Sequence, residues 1–251
     1  MSGHSKWANI KHKKEASDKK KGKVFSKLAK EIMVCVKQSG KDPNSNPRLR
    51  MALIEARSAN MPRDNIERAI KKGSGELGNI VYEEIVYEGY GPQGTALIVE
   101  CLTDNKNRTI GDVRVTFDRN NGNLAATGAV GWMFQRKAHF VITDEKNADE
   151  EKLMDIVLDA GAEDINAGEG VAEIWGPPES FADIAKALED AGIVASEAGI
   201  IRRPDNTVEI TDPHVASQIL RLVDRLEEFD DVQAVHHNAN ISDEAMESIE
   251  E

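Results

Sequence analysis

The hydrophobic pattern changes period near residue 80, and nothing else in the chain limits the fold as tightly. Before that point apolar residues recur three and four apart, as on one face of a helix; after it, apolar runs alternate with helical patterns. In KVFSKLAKEIMVCVKQSG the stripe is Val24 or Phe25, Leu28, Ile32 and Val36, set among lysines and closed by Ser39-Gly40. In SNPRLRMALIEARSAN, Asn46 can cap a helix and Pro47 can fill its first turn, where the missing N–H is not needed; Leu49, Leu53 and Ala56 are the stripe. A third helix opens at Pro62, stripes Ile66, Ala69 and Ile70, and stops at Gly73. Three short amphipathic helices are predicted to bury their stripes against one another, with SGELGN as the linker that follows.

Beyond the linker, TALIVECL reads as a buried strand, NRTIGDVRVTFDRNNGN as a helix with Ile110, Val113 and Phe117 inward, and NLAATGAVGWMFQ as one or two strands. The same grammar returns late in the chain: TVEIT a strand, DPHVASQILRLVDRLEEF a helix, DVQAVHHN a strand, then an acidic tail predicted to fray. Between these pieces two helix-then-strand units each end their helix in Asp-Ala-Gly (159–161 and 190–192), with glycine placed for a left-handed cap. Such units make halves of a βαββαβ sandwich. The predicted class is α+β: an N-terminal three-helix bundle, then two α/β sandwich domains of ferredoxin-like type, one inserted in the other. The expected boundaries are 1–75 for the basic arm and bundle, 76–136 with 204–251 for the discontinuous domain, and 137–203 for the insert.

Charge follows the same divide. Residues 1–75 hold 19 Lys and Arg against 7 Asp and Glu, a net of +12; the other 176 hold 13 against 37, a net of −24. The formal charge of −12 hides that asymmetry, which suits one part built to meet a polyanion and another that avoids it. Cys35 and Cys101 lie in apolar runs and read as buried thiols rather than a metal pair or a disulfide. No apolar run reaches membrane-span length, and the basic N-terminus has no apolar segment behind it. A cytoplasmic protein without a membrane partner is the expectation.

Motifs for catalysis and cofactors are weak. GYGPQG (89–94) has the letters of a dinucleotide fingerprint, but it precedes a strand and contains Pro92, so it reads as a turn. None of the six histidines pairs with Cys or a carboxylate at zinc-site spacing, and no nucleophile elbow or phosphate loop is present. No enzyme, metal or cofactor is expected. The loop TDNKNRT gathers polar side chains where ligands often sit, but an ordinary Asx-rich turn is the favoured reading.

The N-terminal arm carries more information. Its Lys6, Lys11, Lys13, Lys14, Lys19, Lys20, Lys21 and Lys23 are compact charges on flexible stems, suited to phosphates rather than base edges. His12 lies among them, and Trp7 can either stack on a base or pin the arm to the bundle. Arg48, Arg50 and Arg63 lie at helix starts, where a cation opposes the macrodipole; Lys71 and Lys72 sit at a helix end, which already favours them.

MSGHSKWANIKHKK, NPRLRMALIEARSANMPRDNIERAIKKG, YEGYGPQGTALIVECLTDNKNRT and GNLAATGAVGWMF together resemble the YebC family, over nearly the whole chain. That resemblance implies a helical bundle and two α/β domains, one inserted in the other. It also implies one of two functions: a transcriptional regulator that binds promoter DNA, or a translational activator that works on the ribosome and its RNA. The arm suits RNA phosphates and occasional stacking, and no helix groups Arg, Asn and Gln as base readers for a major groove. The oligomeric state is not legible. If the arm carries binding, replacing Lys11, Lys13 and Lys14 with Ala lowers affinity across all sequences and flattens its salt dependence. Trp7→Ala costs about 1–3 kcal/mol of binding if Trp7 stacks; a lower Tm at unchanged affinity assigns Trp7 to packing.

Overall fold

The computed structural model describes residues 18–78, 81–168 and 170–250. Three helices come first: α1 (Asp18–Ser39), α2 (Pro47–Ser58) and α3 (Arg63–Gly73). The cap expected at Asn46 is present: its side chain accepts the Leu49 N–H at 3.0 Å, and its amide also donates to the carbonyls of Cys35 and Gly40 at 2.8 Å each. One buried asparagine thus starts α2 and ties it to the end of α1. Ile32, Cys35 and Val36 of α1, Leu49, Ala52 and Ala56 of α2, Met61, and Ala69 of α3 form the bundle core. Gly73 permits the close approach of α3 to α1: a Cβ there would lie 2.7 Å from the Met33 carbonyl oxygen.

The bundle is more than three stripes facing one another. Met51 and Ile54, on another side of α2, pack against the core of the segment expected as an insertion. That segment has the order β4 (Phe134–Ile142), α5 (Glu150–Val157), β5 (Asp164–Gly168), β6 (Val171–Gly176), α6 (Phe181–Asp190) and β7 (Glu197–Pro204). Its sheet runs β5-β6-β4-β7, with β4–β6 and β5–β6 antiparallel, the order of a ferredoxin-like fold. The helices cover one face through Phe140, Leu153, Val157, Ile174, Phe181, Ile184 and Leu188. Sequence reading named no segment for β5; it is a short edge strand bearing Asp164 and Asn166, so one face lacks the apolar run that marks a buried strand.

By backbone contacts the chain forms two compact units. The first joins the described residues of Met1–Ile80 to those of Arg136–Ile201; the second joins Val81–Gln135 to the described part of Arg202–Glu251.

The second unit contains β1 (Glu83–Tyr90), β2 (Ala96–Thr103), α4 (Lys106–Arg119), β3 (Asn123–Leu124), β8 (Val208–Ile210), α7 (Pro213–Glu227), β9 (Val232–His237), β10 (Ala239–Ile241) and α8 (Asp243–Glu250). Its main sheet runs β3-β1-β2-β9. Leu97, Val99 and Cys101 of β2 meet Val113 and Phe117 of α4 and Leu222 and Leu226 of α7 on one face. Gly89 leaves the space that Phe117 fills, since a Cβ would lie 2.7 Å from its ring. GYGPQG is the β1–β2 hairpin turn, as expected, with Gln93 and Gly94 at positive φ.

This unit departs from the sequence reading at several points. A strand over 83–90 had not been anticipated. NLAATGAVGWMFQ contributes the two-residue β3 and, at Phe134 and Gln135, the start of β4, as expected, and the loop between them wraps the Glu88 side chain. The acidic tail does not fray: α8 buries Ala245 and Met246 with Ile219 and Leu220 of α7. TVEIT does form a strand, β8, but it pairs in parallel with β10 rather than joining the main sheet.

Between α2 and β7, the Glu55 carboxylate accepts the Ile200 N–H. Burial first, and then the nearby Glu31 carboxylate, push its pKa up to about 8, against the opposing pull of that hydrogen bond and of Arg48. A carboxyl whose folded pKa is raised binds its proton more tightly in the native state, so stability falls as pH rises from the unfolded value, 4.5, to about 8. Glu55→Gln removes the titration and keeps an acceptor. Urea titrations across that window should show a flatter stability profile for the variant and a higher midpoint at pH 8; profiles that run parallel would dismiss Glu55 as the cause.

Candidate nucleic-acid interface

The predicted binding residues fall into three groups. Lys6, Trp7, Lys11, His12, Lys13 and Lys14 lie outside the described residues. Lys19, Lys20 and Lys21 lie in the first turn of α1, with their side chains likewise undescribed. Lys23 is half-buried on α1, Arg48 and Arg50 lie in α2, and Arg63 opens α3.

Arg48 differs from its expected role. Its Nε donates to Glu31 Oε1 at 2.7 Å, its Nη2 to Oε2 at 3.1 Å and its Nη1 to Gln38 at 3.1 Å. Two parallel bonds to one carboxylate are the strongest arrangement a guanidinium makes. The cation that opposes the α2 dipole is therefore offset by a carboxylate from α1, and Arg48 clamps those two helices. Sequence spacing could not show this, since the partner lies 17 residues away.

Arg50 and Arg63 do face solvent. Arg63 donates to Glu67 at 2.9 Å, one turn along α3, with its side chain 90% exposed. An exposed pair at that spacing contributes about 0.3–0.5 kcal/mol, too little to withhold the guanidinium from a phosphate. Arg68, Lys71 and Lys72 are exposed on the outward side of the same helix. Residues 68, 71 and 72 stand three and four apart and so share a face. Sequence reading did not single out Arg68, although its spacing from Lys71 and Lys72 was available as a signal. The described part of the candidate surface is thus the outer side of α3, with Arg50 exposed on α2. It presents cations able to meet phosphates, with Asp64 and Glu67 among them.

The polar loop after β2 is closed on itself. Asp231 Oδ2 accepts from the hydroxyls of Thr103 and Thr109 at 3.1 and 3.0 Å and from Arg108, which also donates to Asp104. Asn105 caps α4 through the Arg108 N–H at 3.1 Å. These donors and acceptors hold β2, α4 and the start of β9 together, which agrees with the Asx-turn reading of TDNKNRT. Cys35 and Cys101 are buried thiols and form no disulfide. Among the described residues no group of three His, Cys, Asp or Glu could hold a metal ion, and no helix is long and apolar enough to cross a membrane.

The two roles of arginine are separable. Arg48→Ala should lower stability by about 1–2 kcal/mol in urea unfolding and leave nucleic-acid affinity unchanged once the fold is intact. Joint replacement of Arg68, Lys71 and Lys72 by Ala should leave Tm unchanged and reduce the slope of log affinity against log salt by about 2–3. An unchanged slope excludes the α3 face.

Comparison with known proteins gives one consistent result. The family model described as the TACO1/YebC second and third domain matches residues 82–239, and that described as the TACO1/YebC protein N-terminal domain matches residues 5–76. A probable transcriptional regulatory protein of Desulfotalea psychrophila is 50% identical over 251 residues, covering 100% of both chains. One of Geobacter sulfurreducens is 52% identical over 249 residues, 99% of this chain and 100% of that one. The crystal structure of a conserved hypothetical protein from Aquifex aeolicus superposes with a TM-score of 0.84 at 45% identity, covering 95% of this chain and 98% of the other. With both its bundle and its α/β segments matched, the chain belongs to the TACO1/YebC family.

Proposed function

We propose that this protein is a non-enzymatic, nucleic-acid-binding regulator of gene expression in the cytoplasm, which meets phosphates through its basic arm and the outer side of α3. The observation that carries the reading is the segregation of charge. The first 75 residues carry +12, while residues 81–135 with 202–251 hold 8 Lys and Arg against 20 Asp and Glu, a net of −12. An acidic body repels a polyanion and confines it to the basic end. The relatives' shared description as probable transcriptional regulatory proteins favours promoter DNA as the ligand. In this reading the bundle, the insertion and the discontinuous α/β domain act as three parts, the last two positioning the first.

A second reading, a translation factor on ribosomal RNA, is favoured by one feature. The exposed cations of α2 and α3 are spread as phosphate contacts, and the outward positions of α3 hold Arg, Lys, Asp and Glu without the Asn or Gln pairs that read adenine in a major groove.

Ultraviolet crosslinking in growing cells, followed by sequencing of the attached nucleic acid, separates the two. Reads at discrete promoters support the DNA regulator; reads at a few ribosomal RNA positions establish the translation factor instead. Background reads for both overturn the proposal. In solution, a contact to six to ten phosphates should weaken roughly 10³- to 10⁵-fold between 50 and 200 mM salt.

A further inference from the structure

Trp132 is 73% exposed, an unusual position for the largest apolar side chain, and the loop that presents it is tightly held. Glu88, buried on β1, accepts the N–H groups of Gly128, Val130 and Gly131 at 2.8, 2.7 and 2.7 Å. Burial alone would push the Glu88 carboxyl up; the three N–H donors and the nearby Arg202 outweigh it and hold the group below the ordinary carboxylate range. The Tyr90 hydroxyl donates to the Ala129 carbonyl at 3.3 Å, and Val130 and Phe134 anchor the loop in the core on either side of the indole. The Trp132 ring N–H donates to the same Ala129 carbonyl at 3.1 Å. The ring's one donor is therefore satisfied within the loop. What it offers a partner is its faces, fixed in place before any partner arrives.

Charge indicates the kind of partner. This unit carries −12. The Asp205 N–H donates to the carbonyl of Met133, the residue after Trp132, at 2.9 Å, which sets an exposed acidic residue beside the loop. Arg202 is held on Glu100 at 2.6 Å, so its charge is already matched. The unit's net charge repels a polyanion at range, whereas a cation meets an electron-rich ring face, the best of the aromatic faces for that contact, beside Asp205. We propose that Trp132, with Asp205, is a docking point for a basic polypeptide, receiving an arginine or lysine side chain over the indole. This surface belongs to the second compact unit, whereas the basic bundle belongs to the first, and docking there does not depend on which nucleic acid the bundle meets.

Nuclear magnetic resonance of the ¹⁵N-labelled full chain tests this directly. The Trp132 indole N–H signal is identified by its loss in Trp132→Phe. A synthetic arginine-glycine repeat decapeptide and an oligouridylate are then titrated separately at low salt. The expected result is a saturable shift of the Trp132 signal with the peptide and none with the oligouridylate. Trp132→Leu and Asp205→Asn should each weaken peptide binding about two- to five-fold, the range of a surface cation–π contact. A Trp132 shift with oligouridylate and not with peptide makes the ring a base-stacking platform and overturns the proposal, as does no shift with either probe. Should Trp132→Leu disturb the backbone spectrum, the shift itself and Asp205→Asn still decide.

Discussion

Helix α2 is the element on which the first unit depends, because it is buried on more than one side. Leu49, Ala52 and Ala56 enter the bundle core, while Met51 and Ile54 enter the core beneath the β5-β6-β4-β7 sheet. A helix with a single apolar stripe could have served only one of these cores. Its two faces join a bundle near the start of the chain to a sheet that begins at residue 134, and contacts group them as one compact unit. Much of the polar chemistry of that unit gathers around the same helix: the Asn46 cap, the Arg48 clamp on Glu31, and Glu55 holding the Ile200 N–H. Substitutions in α2 are therefore expected to act on two cores together, and their energies should not add as they would at independent sites.

Charge is organised at the scale of whole segments, and it determines the direction of the functional reading. Individual surface cations contribute little to stability, so folding alone does not account for a +12 segment in an acidic chain; the proposed polyanion ligand does. The structure adds that Arg48 is paired with Glu31 across α1 and α2 and that Arg68 lies beside Lys71 and Lys72 on the outer side of α3. The acidic second unit has its own rigid surface feature, built on a buried carboxylate that three backbone N–H groups satisfy. One chain can thus carry two surfaces of opposite charge preference, one on each compact unit.

The helices were legible because their signals are local: the Asn46-Pro47 start, the Gly40 and Gly73 stops, and stripes at helical spacing. The two Asp-Ala-Gly helix ends pointed to the βαββαβ insertion for the same reason. Strands were read less completely. Strand β2 announced itself by a continuous apolar run, whereas β5 and β1 expose one side or both ends and were not identified. The acidic tail was read as frayed because its charges are visible locally, while α7, against which Ala245 and Met246 pack, is remote in pattern if not in space.

By itself, the sequence determined the class of the fold and the placing of positive charge in the first 75 residues, since periodicity, caps and charge counts need no knowledge of neighbours. Tertiary structure alone decided which arginine clamps helices and which faces solvent, that Trp132 is displayed, and that α2 serves two cores. Each of these turns on partners far apart in the chain: Arg48 on Glu31, Glu55 on Ile200, and the Trp132 loop on Glu88. A side chain's charge or size is a property of its residue, but its role is set by what it meets, and only folding brings those groups together.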